Sequence, residues 1–450
     1  MGRLFGTDGI RGVANTPPMT AEVALAVGRA TAYVFRNHNK HHHRIVIGKD
    51  TRLSGYMLEN ALASGIISMG VDVLLTGPMP TPGIAFTTRS MRADAGIVIS
   101  ASHNPYQDNG IKIFSSDGFK VSESIERQIE ELVVSGKINN IRPTADKIGK
   151  AHRIDDAIGR YIELCKSTFP ADLTLDGMKL VVDCANGATY KIAPTIFSEL
   201  GADVRAIHCE PDGKNINDNC GSQFTRDLSI VVRKTRADAG LAFDGDGDRL
   251  IAIDEKGAEM TGDHLIAICA EKMKMRGTLG KPMVVITPMS NIGLRIALNK
   301  MGIKYKEADV GDRNVLELMQ KNNITLGGEQ SGHIIFRNLH TTGDGIISAL
   351  QVMAAVKRRK KPLSEMARII KVAPQQLINI DVVQKPPINS ISSLKAAIAR
   401  AESKLGKQGR VLIRYSGTQM LCRVMVEGPT KRLTNHIASY LADTVRKAIA

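Results

Sequence analysis

The chain has 450 residues, 43% of them hydrophobic and 23% charged, a balance typical of a folded protein with several domains and well-filled cores. It lacks any apolar run of the roughly 18 residues that a membrane-spanning helix requires, and its first residues lack the apolar segment of a signal peptide. We therefore expect a cytoplasmic protein, in which six scattered cysteines without CxxC spacing stay reduced.

The formal charge of +15 raises the hypothesis of a nucleic-acid-binding protein. Aromatic residues make up only 4% of the chain and tryptophan is absent, so there is no stacking platform for single strands. The dense basic run from Lys357 to Lys361 precedes Pro362 and is typical of a solvated helix end. A diffuse positive field also attracts small anions, so we expect a small-molecule partner and neither nucleic acid nor membrane.

Apolar segments typical of strands alternate with helical patterns over most of the chain. The segments that open successive units lie at residues 43–50, 179–189 and 282–293. Each is followed by a helical pattern and another strand, as at 55–70 and 71–77 in the first unit. This alternation predicts βαβ units, mostly parallel sheets and an α/β fold.

The pattern changes after residue 372, where short strand segments are combined with two helical patterns at 391–405 and 430–449. That combination predicts a smaller α+β domain at the C-terminus. We predict three similar α/β domains followed by this fourth one, with the bounds 1–152, 153–256, 257–372 and 373–450.

The segment DGDGDR places three carboxylates, Asp244, Asp246 and Asp248, at alternate positions between two strand-like segments. Two alternatives are an EF-hand loop and an acidic surface turn. The EF-hand needs glycine where this chain has Arg249, and three carboxylates this close repel one another unless a cation neutralises them. Oxygen ligands without nearby His or Cys favour Mg²⁺, which points to phosphate chemistry. We call residues 244–249 the metal loop.

The segment ISASHNP places Ser102 at the carboxyl end of a predicted strand, where α/β sheets bind ligands. His103 follows directly, and Lys112 could supply positive charge to a phosphoryl group. Ser102 lacks the GxSxG surroundings of a hydrolase nucleophile, and a plain turn before Pro105 is the structural alternative. We call residues 99–105 the serine loop.

The segment GGEQSGH, residues 327–333, is a polar turn that we call the sugar loop. Glu329 and Ser331 can bond sugar hydroxyls, and His333 can move a proton near neutral pH. Taken alone, the segment is equally consistent with an ordinary turn.

The segment RYSGT, residues 414–418, is typical of a phosphate site, and we call it the phosphate loop. Arginine binds phosphate through two parallel bonds, and hydroxyl and glycine amide groups add donors. A surface turn is again the alternative when the segment stands alone. Its candidate ligands are Arg414, Ser416, Gly417 and Thr418, with Arg423 just beyond.

These four loops and the N-terminal segment FGTDGIRG, from Phe5 to Gly12, resemble the motifs of the α-D-phosphohexomutases. The resemblance keeps the family's order and covers essentially the whole chain. Within the family the chain resembles the bacterial phosphoglucosamine mutases, on the basis of Gln330 and of the segment from Pro211 to Ser222. It departs from the family after Thr418, where Gln419 and Met420 replace the usual Glu-Pro. We expect phosphate binding to survive this change while loop rigidity differs.

The resemblance implies a four-domain phosphohexomutase architecture around a central cleft, with phosphoserine at Ser102 and one Mg²⁺ per subunit. It implies that Ser102, Asp244, Asp246 and Asp248 bind the metal, and that His103 belongs to the catalytic serine loop. Arg11, Lys112 and Arg249 would surround the phosphoserine. The sugar would contact Glu329, Ser331 and His333, and the phosphate that does not react would contact the phosphate loop and Arg423.

The implied reaction interconverts glucosamine 6-phosphate and glucosamine 1-phosphate and supplies precursors of UDP-N-acetylglucosamine and the cell wall. Glucosamine 1,6-bisphosphate, or a similar sugar bisphosphate, would act as intermediate and activator. The alternatives are a phosphoglucomutase or phosphomannomutase and a Mg²⁺-dependent sugar phosphatase. The candidate assembly is a homodimer.

Overall fold

A computed structural model describes residues 4–6, 8–36, 42–141, 143–415 and 420–449 of the chain. The described strands form four sheets that follow one another along the sequence. The first three are mixed sheets flanked by helices and the fourth is antiparallel, which confirms the predicted α/β fold class. Among the described residues, no helix combines the length and the apolar character needed to cross a membrane.

The first sheet has the strand order β1-β5-β4-β2-β3-β6. Its central strands are rich in Ile and Val and are buried on both faces, as parallel strands covered by helices usually are. Its strands are β1 (Ile10–Val13), β2 (Arg44–Lys49), β3 (Asp72–Pro78), β4 (Ala95–Ile99), β5 (Asp108–Ser115) and β6 (Ala151–Arg153). The helices of this part of the chain are α1 (Ala21–Arg36), α2 (Ser54–Ile67), α3 (Thr81–Ser90) and α4 (Glu123–Val134).

The second sheet has the order β11-β10-β9-β7-β8. Its strands are β7 (Lys179–Asp183), β8 (Asp203–Ile207), β9 (Ala239–Phe243), β10 (Leu250–Asp254) and β11 (Glu259–Met260), and its helices are α5 (Ala157–Ser167), α6 (Ile192–Glu199) and α7 (Arg226–Thr235). Because β11 pairs with β10, we propose that the second domain extends through Met260, beyond the predicted bound at residue 256. The other bounds, at residues 152 and 372, stay predictions.

The third sheet has the order β13-β12-β14-β15. Its strands are β12 (Met283–Ile286), β13 (Lys304–Glu307), β14 (Leu326–Gly328) and β15 (Ile334–Phe336). Its helices are α8 (Gly262–Met275), α9 (Ile292–Lys300), α10 (Asp312–Asn322), α11 (Gly345–Arg359) and α12 (Leu363–Met366). The fourth sheet, β16-β18-β17, contains β16 (Gln375–Asp381), β17 (Arg410–Tyr415) and β18 (Leu421–Glu427), with α13 (Ser392–Leu405) and α14 (Lys431–Ile449).

The first three sheets share one arrangement of four strands. A central strand pairs in parallel with a second strand on one side and a third on the other, and a fourth strand returns antiparallel to the third. The turns between the third and fourth strands lie at 99–108, 243–250 and 328–334. The serine, metal and sugar loops therefore occupy equivalent positions in three similar units.

The hydrophobic cores explain how these units are joined. One continuous buried cluster links the second and third units and includes Phe243 and Leu250 of one and Leu265 and Ile346 of the other. The first unit has two further clusters, one of which also includes Ile154 and Ala157 at the start of the second unit. The fourth unit has a core of its own between its sheet and its two helices. The metal and sugar loops consequently stand on one shared core, whereas the serine loop belongs to a unit whose clusters are distinct from that core.

Candidate active site

Ser102 lies just beyond β4 and has a backbone φ of +52°, which is uncommon for a residue with a side chain. Its hydroxyl donates to Asp244 Oδ2 at 2.6 Å and lies 3.4 Å from His103 Nδ1, and only 2% of the residue is exposed. Burial, followed by the charges of Arg249 and Arg11, lowers the pKa of His103 to about 4. This favours the neutral form of the His103 ring at pH 7 while Ser102 carries no phosphate.

The metal loop brings its three carboxylates together in a tight turn. The ligand oxygens of Asp244, Asp246 and Asp248 all lie within 4.8 Å of one another, and all three residues are buried. Burial and the charges of the other two carboxylates raise the pKa of Asp244, and burial and Asp246 raise the pKa of Asp248. The pKa of Asp246 is lowered, although burial alone would raise it. The charge of Lys112 and the hydrogen bonds that Asp246 accepts from Thr81 and Lys112 outweigh the effect of burial.

Two buried oxygens in this group, Oδ1 of Asp246 and Oδ1 of Asp248, have no hydrogen-bond partner among the described residues. An unpartnered buried carboxylate oxygen is costly, and a cation bound at this position would remove that cost. Oxygen-only ligands suit Mg²⁺ better than softer metals. The side chains of the metal loop therefore fit a magnesium ion.

A second group of metal-ligating types within the described residues consists of Asp183, His208 and Cys220. In this group the carboxylate of Asp183 already has hydrogen-bond and ion-pair partners in the protein. Asp183 accepts backbone N–H bonds from Ala185 at 2.9 Å and Gly221 at 3.0 Å, and its Oδ2 forms an ion pair of 3.0 Å with His208 Nδ1. This contrast with the metal loop is the reason that we assign no metal to this second group.

Three cationic side chains surround the serine and metal loops. Lys112 Nζ lies 3.0 Å from Asp246 Oδ2, and the charges of Asp246 and Asp8 raise its pKa despite its burial. Arg11 donates to the carbonyl of Ala101 at 3.2 Å. Arg249 Nε is buried, lies 3.8 Å from Asp248 Oδ1 and has no hydrogen-bond partner among the described residues. The structure thus brings three positive charges beside the serine and metal loops.

The sugar loop packs directly against the metal loop, because Arg249 and His333 form an isolated β-bridge. His333 is 2% exposed, and its Nε2 lies 3.9 Å from Asp248 Oδ2. Within the part of the chain that the structure describes, neither ring nitrogen has a hydrogen-bond partner. Glu329 accepts a hydrogen bond of 3.1 Å from the backbone N–H of Gly311, just before α10, and Ser331 is partly exposed. This loop therefore presents polar groups beside the carboxylates.

The phosphate loop is described only in part, because Ser416, Gly417, Thr418 and Gln419 lie outside the described residues. Arg414 and Arg423 face each other across β17 and β18, and burial together with Arg423 lowers the pKa of Arg414. Two adjacent cations favour an anion between them. Among the described residues, no hydrogen bond or ion pair joins either arginine to the serine or metal loop; Arg414 instead lies 3.8 Å from Met289 Sδ.

Four site residues escaped the sequence analysis. Thr81, the first residue of α3, donates to Asp246 Oδ2 at 2.7 Å. Lys120 donates to Asp8 at 2.5 Å and also contacts Asp312, which joins the first unit to the third. Asp8 stands in the segment FGTDGIRG and could have been recognised there as the partner of Arg11. The other three carry no local signal, because Thr81 and Asp312 are single residues at helix starts and Lys120 is a single lysine before a helix.

The glycine at position 245 permits the close approach of the metal and serine loops. A Cβ atom there would lie 2.7 Å from the Ser102 carbonyl oxygen and 2.7 Å from Asn217 Nδ2.

We expect Gly245→Ala to separate the two loops and to lower kcat about a hundredfold. Gly159→Ala in α5 is the control, since nothing lies within 4 Å of its Cβ position. It should leave kcat unchanged in the same assay and raise stability by about 0.5–1 kcal/mol; equal kcat values for both variants would contradict the expectation.

Comparison with known families assigns all four units. The descriptions are phosphoglucomutase/phosphomannomutase alpha/beta/alpha domain I for residues 2–139, domain II for 159–257, domain III for 261–372 and the C-terminal domain for 377–444. The fold and these matches define the class, and the chain belongs to the phosphoglucomutase/phosphomannomutase family of α-D-phosphohexomutases.

Curated relatives narrow the assignment. Phosphoglucosamine mutases from Syntrophus aciditrophicus and Syntrophobacter fumaroxidans are 59% and 58% identical to this chain over 449 residues, with 100% of each chain covered. At this similarity the chain falls within the phosphoglucosamine mutase branch of the family, whose members are isomerases.

Solved structures share the fold at much lower identity. A phosphoglucomutase/phosphomannomutase family protein from Burkholderia thailandensis has a TM-score of 0.81 at 23% identity and covers 99% of this chain and 97% of its own. An N-acetylphosphoglucosamine mutase from Aspergillus fumigatus, solved with GlcNAc-6P and magnesium, has a TM-score of 0.68 at 16% identity, with 99% and 96% covered.

Proposed function

We propose that this enzyme interconverts glucosamine 6-phosphate and glucosamine 1-phosphate through a phosphorylated Ser102 and a sugar 1,6-bisphosphate. The observation that carries the proposal is the position of Ser102 Oγ, 2.6 Å from Asp244 Oδ2, where the metal loop and three cations meet. The names of the curated relatives support glucosamine as the sugar. The cytoplasmic location, the homodimer and the role in precursor supply stay predictions.

In the proposed reaction the Oγ–P bond of phosphorylated Ser102 breaks as a bond forms between phosphorus and O1 of the sugar, whose hydroxyl proton passes to a base. Ser102 Oγ takes up a proton as it leaves. The bisphosphate then reorients, and its 6-phosphoryl group passes to Ser102 Oγ, which loses that proton, as the P–O6 bond breaks and O6 is protonated. Such transfers depend on positioning and charge stabilisation more than on covalent chemistry from the protein. Mg²⁺, when held by Ser102 and the three aspartates, would neutralise charge on the phosphoryl oxygens.

The surrounding side chains support this chemistry. Arg11, Lys112 and Arg249 would stabilise the transferring phosphoryl group. Their positive charges also balance the negative charges of the buried carboxylates. The neutral ring of His103 lies beside Ser102 and can accept or donate one hydrogen bond. Glu329, Ser331 and His333 would bind sugar hydroxyls, since the ring nitrogens of His333 have no hydrogen-bond partner in the described part of the chain.

Reorientation requires a distant site that accepts phosphate from either end of the sugar. We propose that Arg414 and Arg423 provide it, together with Ser416, Gly417 and Thr418. The fourth unit has its own core and meets the third through polar contacts, such as Arg410 to the carbonyl of Ser290 at 2.7 Å. A unit joined in this way can move without exposing a shared apolar core.

A panel of sugar phosphates tests the proposal. With Mg²⁺ and a trace of sugar 1,6-bisphosphate, we expect kcat/KM for glucosamine 1-phosphate to exceed those for the glucose and mannose phosphates by about tenfold or more. A preference for glucose or mannose would instead indicate a phosphoglucomutase or phosphomannomutase. Continuous release of inorganic phosphate in step with substrate loss would indicate a phosphatase.

A further inference from the structure

The serine loop is held by two buried side chains to which the proposed reaction gives no role, Arg52 and Asn217. Arg52 Nη2 donates to the carbonyl oxygens of Ser102 at 3.1 Å and Asn104 at 2.5 Å. Asn217 Nδ2 donates to the same two oxygens at 2.9 and 3.0 Å. Two carbonyls of one turn thus receive four hydrogen bonds from outside the loop.

The first of these side chains belongs to a closed network in the first unit. Asp50 pairs with Arg52 and accepts a bond of 2.5 Å from Ser100 Oγ, which in turn accepts the N–H of Ser102 at 2.9 Å. Burial raises the pKa of Asp50, and the Arg52 charge opposes that rise. The N–H and the carbonyl of Ser102 are therefore bound to the same buried network.

The second side chain comes from the second unit. The backbone N–H of Asn217 donates to the carbonyl of Ala185 at 2.9 Å, which ties Asn217 to the turn after β7. Its Nδ2 atom also lies against Gly245 of the metal loop, 2.7 Å from the position that a Cβ would take there. Asn217 therefore contacts the serine loop and the metal loop together.

We propose that Arg52 and Asn217 are positioning residues that hold Ser102 in its left-handed conformation, with its hydroxyl aimed at Asp244. A φ of +52° is unfavourable for serine, and the four bonds offset that cost. Because Asn217 belongs to the second unit, the serine is fully positioned only when the first two units are docked. The inference rests on the proposed function and assigns a task to the segment from Pro211 to Ser222.

Asn217 is the better residue to test, because truncating the fully buried Arg52 would leave Asp50 without its partner. Asn217 has a φ of +58°, which glycine adopts readily, so Asn217→Gly removes the side chain without added backbone strain. The matched control is Asn219→Gly, in the same segment at a φ of +51°. The Asn219 side chain is exposed and donates to Asp218 at 2.9 Å.

Two measurements apply to both variants. In hydrogen exchange without substrate, N217G should exchange the backbone amides of residues 100–104 about tenfold faster than N219G. In the mutase assay, N217G should lower kcat about tenfold or more while KM stays within about twofold, whereas N219G matches the wild type. Asn217→Asp, which keeps the size but replaces the amide donor by an acceptor, should behave like N217G.

Equal exchange in N217G and N219G would overturn the proposal, and so would faster exchange with an unchanged kcat. Wild-type kcat in N217D would also overturn it, because size rather than hydrogen bonding would then be sufficient. Faster exchange in N217G together with a wild-type enzyme that turns over no sugar phosphate would support the positioning contact and reject the proposed function.

Discussion

Ser102→Ala should lower mutase kcat by at least about a thousandfold while the protein remains folded. Alanine keeps the Cβ atom, so the cost of the left-handed backbone at this position is unchanged. The substitution removes only the hydroxyl that lies 2.6 Å from Asp244. If Ser102 carries the phosphoryl group, the substitution removes the atom to which that group is bound.

Three measurements check this result: mutase turnover, thermal unfolding, and the phosphorylation of Ser102 after incubation with a sugar bisphosphate. Ser124→Ala is the control, because Ser124 lies on the exposed face of α4 and its hydroxyl bonds only Ser122, at 2.8 Å. The control should be phosphorylated and active. Wild-type turnover in Ser102→Ala would exclude Ser102 as the phosphoryl carrier.

Asp248→Asn should abolish the response to Mg²⁺ and lower kcat by about a hundredfold or more, without loss of stability in EDTA. Burial and Asp246 raise the pKa of Asp248, so its charge is unfavourable in the folded, metal-free protein. That cost is present above the raised pKa and disappears as pH falls through it and the carboxyl protonates. The asparagine variant carries no charge at this position and so lacks this cost at any pH.

The test compares melting temperatures in EDTA and in Mg²⁺. Wild-type protein should melt at a higher temperature when Mg²⁺ is added, whereas Asp248→Asn should show no shift and should melt in EDTA at or above the wild-type temperature. Asp254→Asn is the control, because Asp254 is buried in β10 and accepts two backbone bonds, of 2.9 and 2.8 Å. The control should keep its Mg²⁺ shift. An undiminished shift in Asp248→Asn would remove this residue from the metal site.

Much of the fold was accessible from local patterns. Alternating apolar strands and helices predicted the α/β class, because strands buried on both faces need continuous apolar runs. The strand that was predicted to end at Ser102 ends earlier, since the last residue of β4 is Ile99. The reason is the turn at Ser102, whose positive φ cannot belong to a strand.

The candidate site also combines residues that local patterns reveal with residues that they do not. Asp244, Asp246 and Asp248 were recognisable because their chemistry and spacing lie within one short segment. Thr81 and Asn217 were not, because an isolated threonine or asparagine has many ordinary uses. Asn217 even stood in a segment noted for its family resemblance, but nothing local connects it to a carbonyl 115 residues earlier in the chain.

Residue types and short-range spacing were therefore sufficient for the kind of chemistry and for most of the elements, since both depend on neighbours along the chain. The assembly of the site depends on packing. Ser102 meets Asp244 across 142 residues, and Thr81 meets Asp246 across 165. The first contact forms because the units place their third-to-fourth-strand turns side by side, and the second because the start of α3 packs against the metal loop. Such distant contacts leave no periodic trace in the sequence.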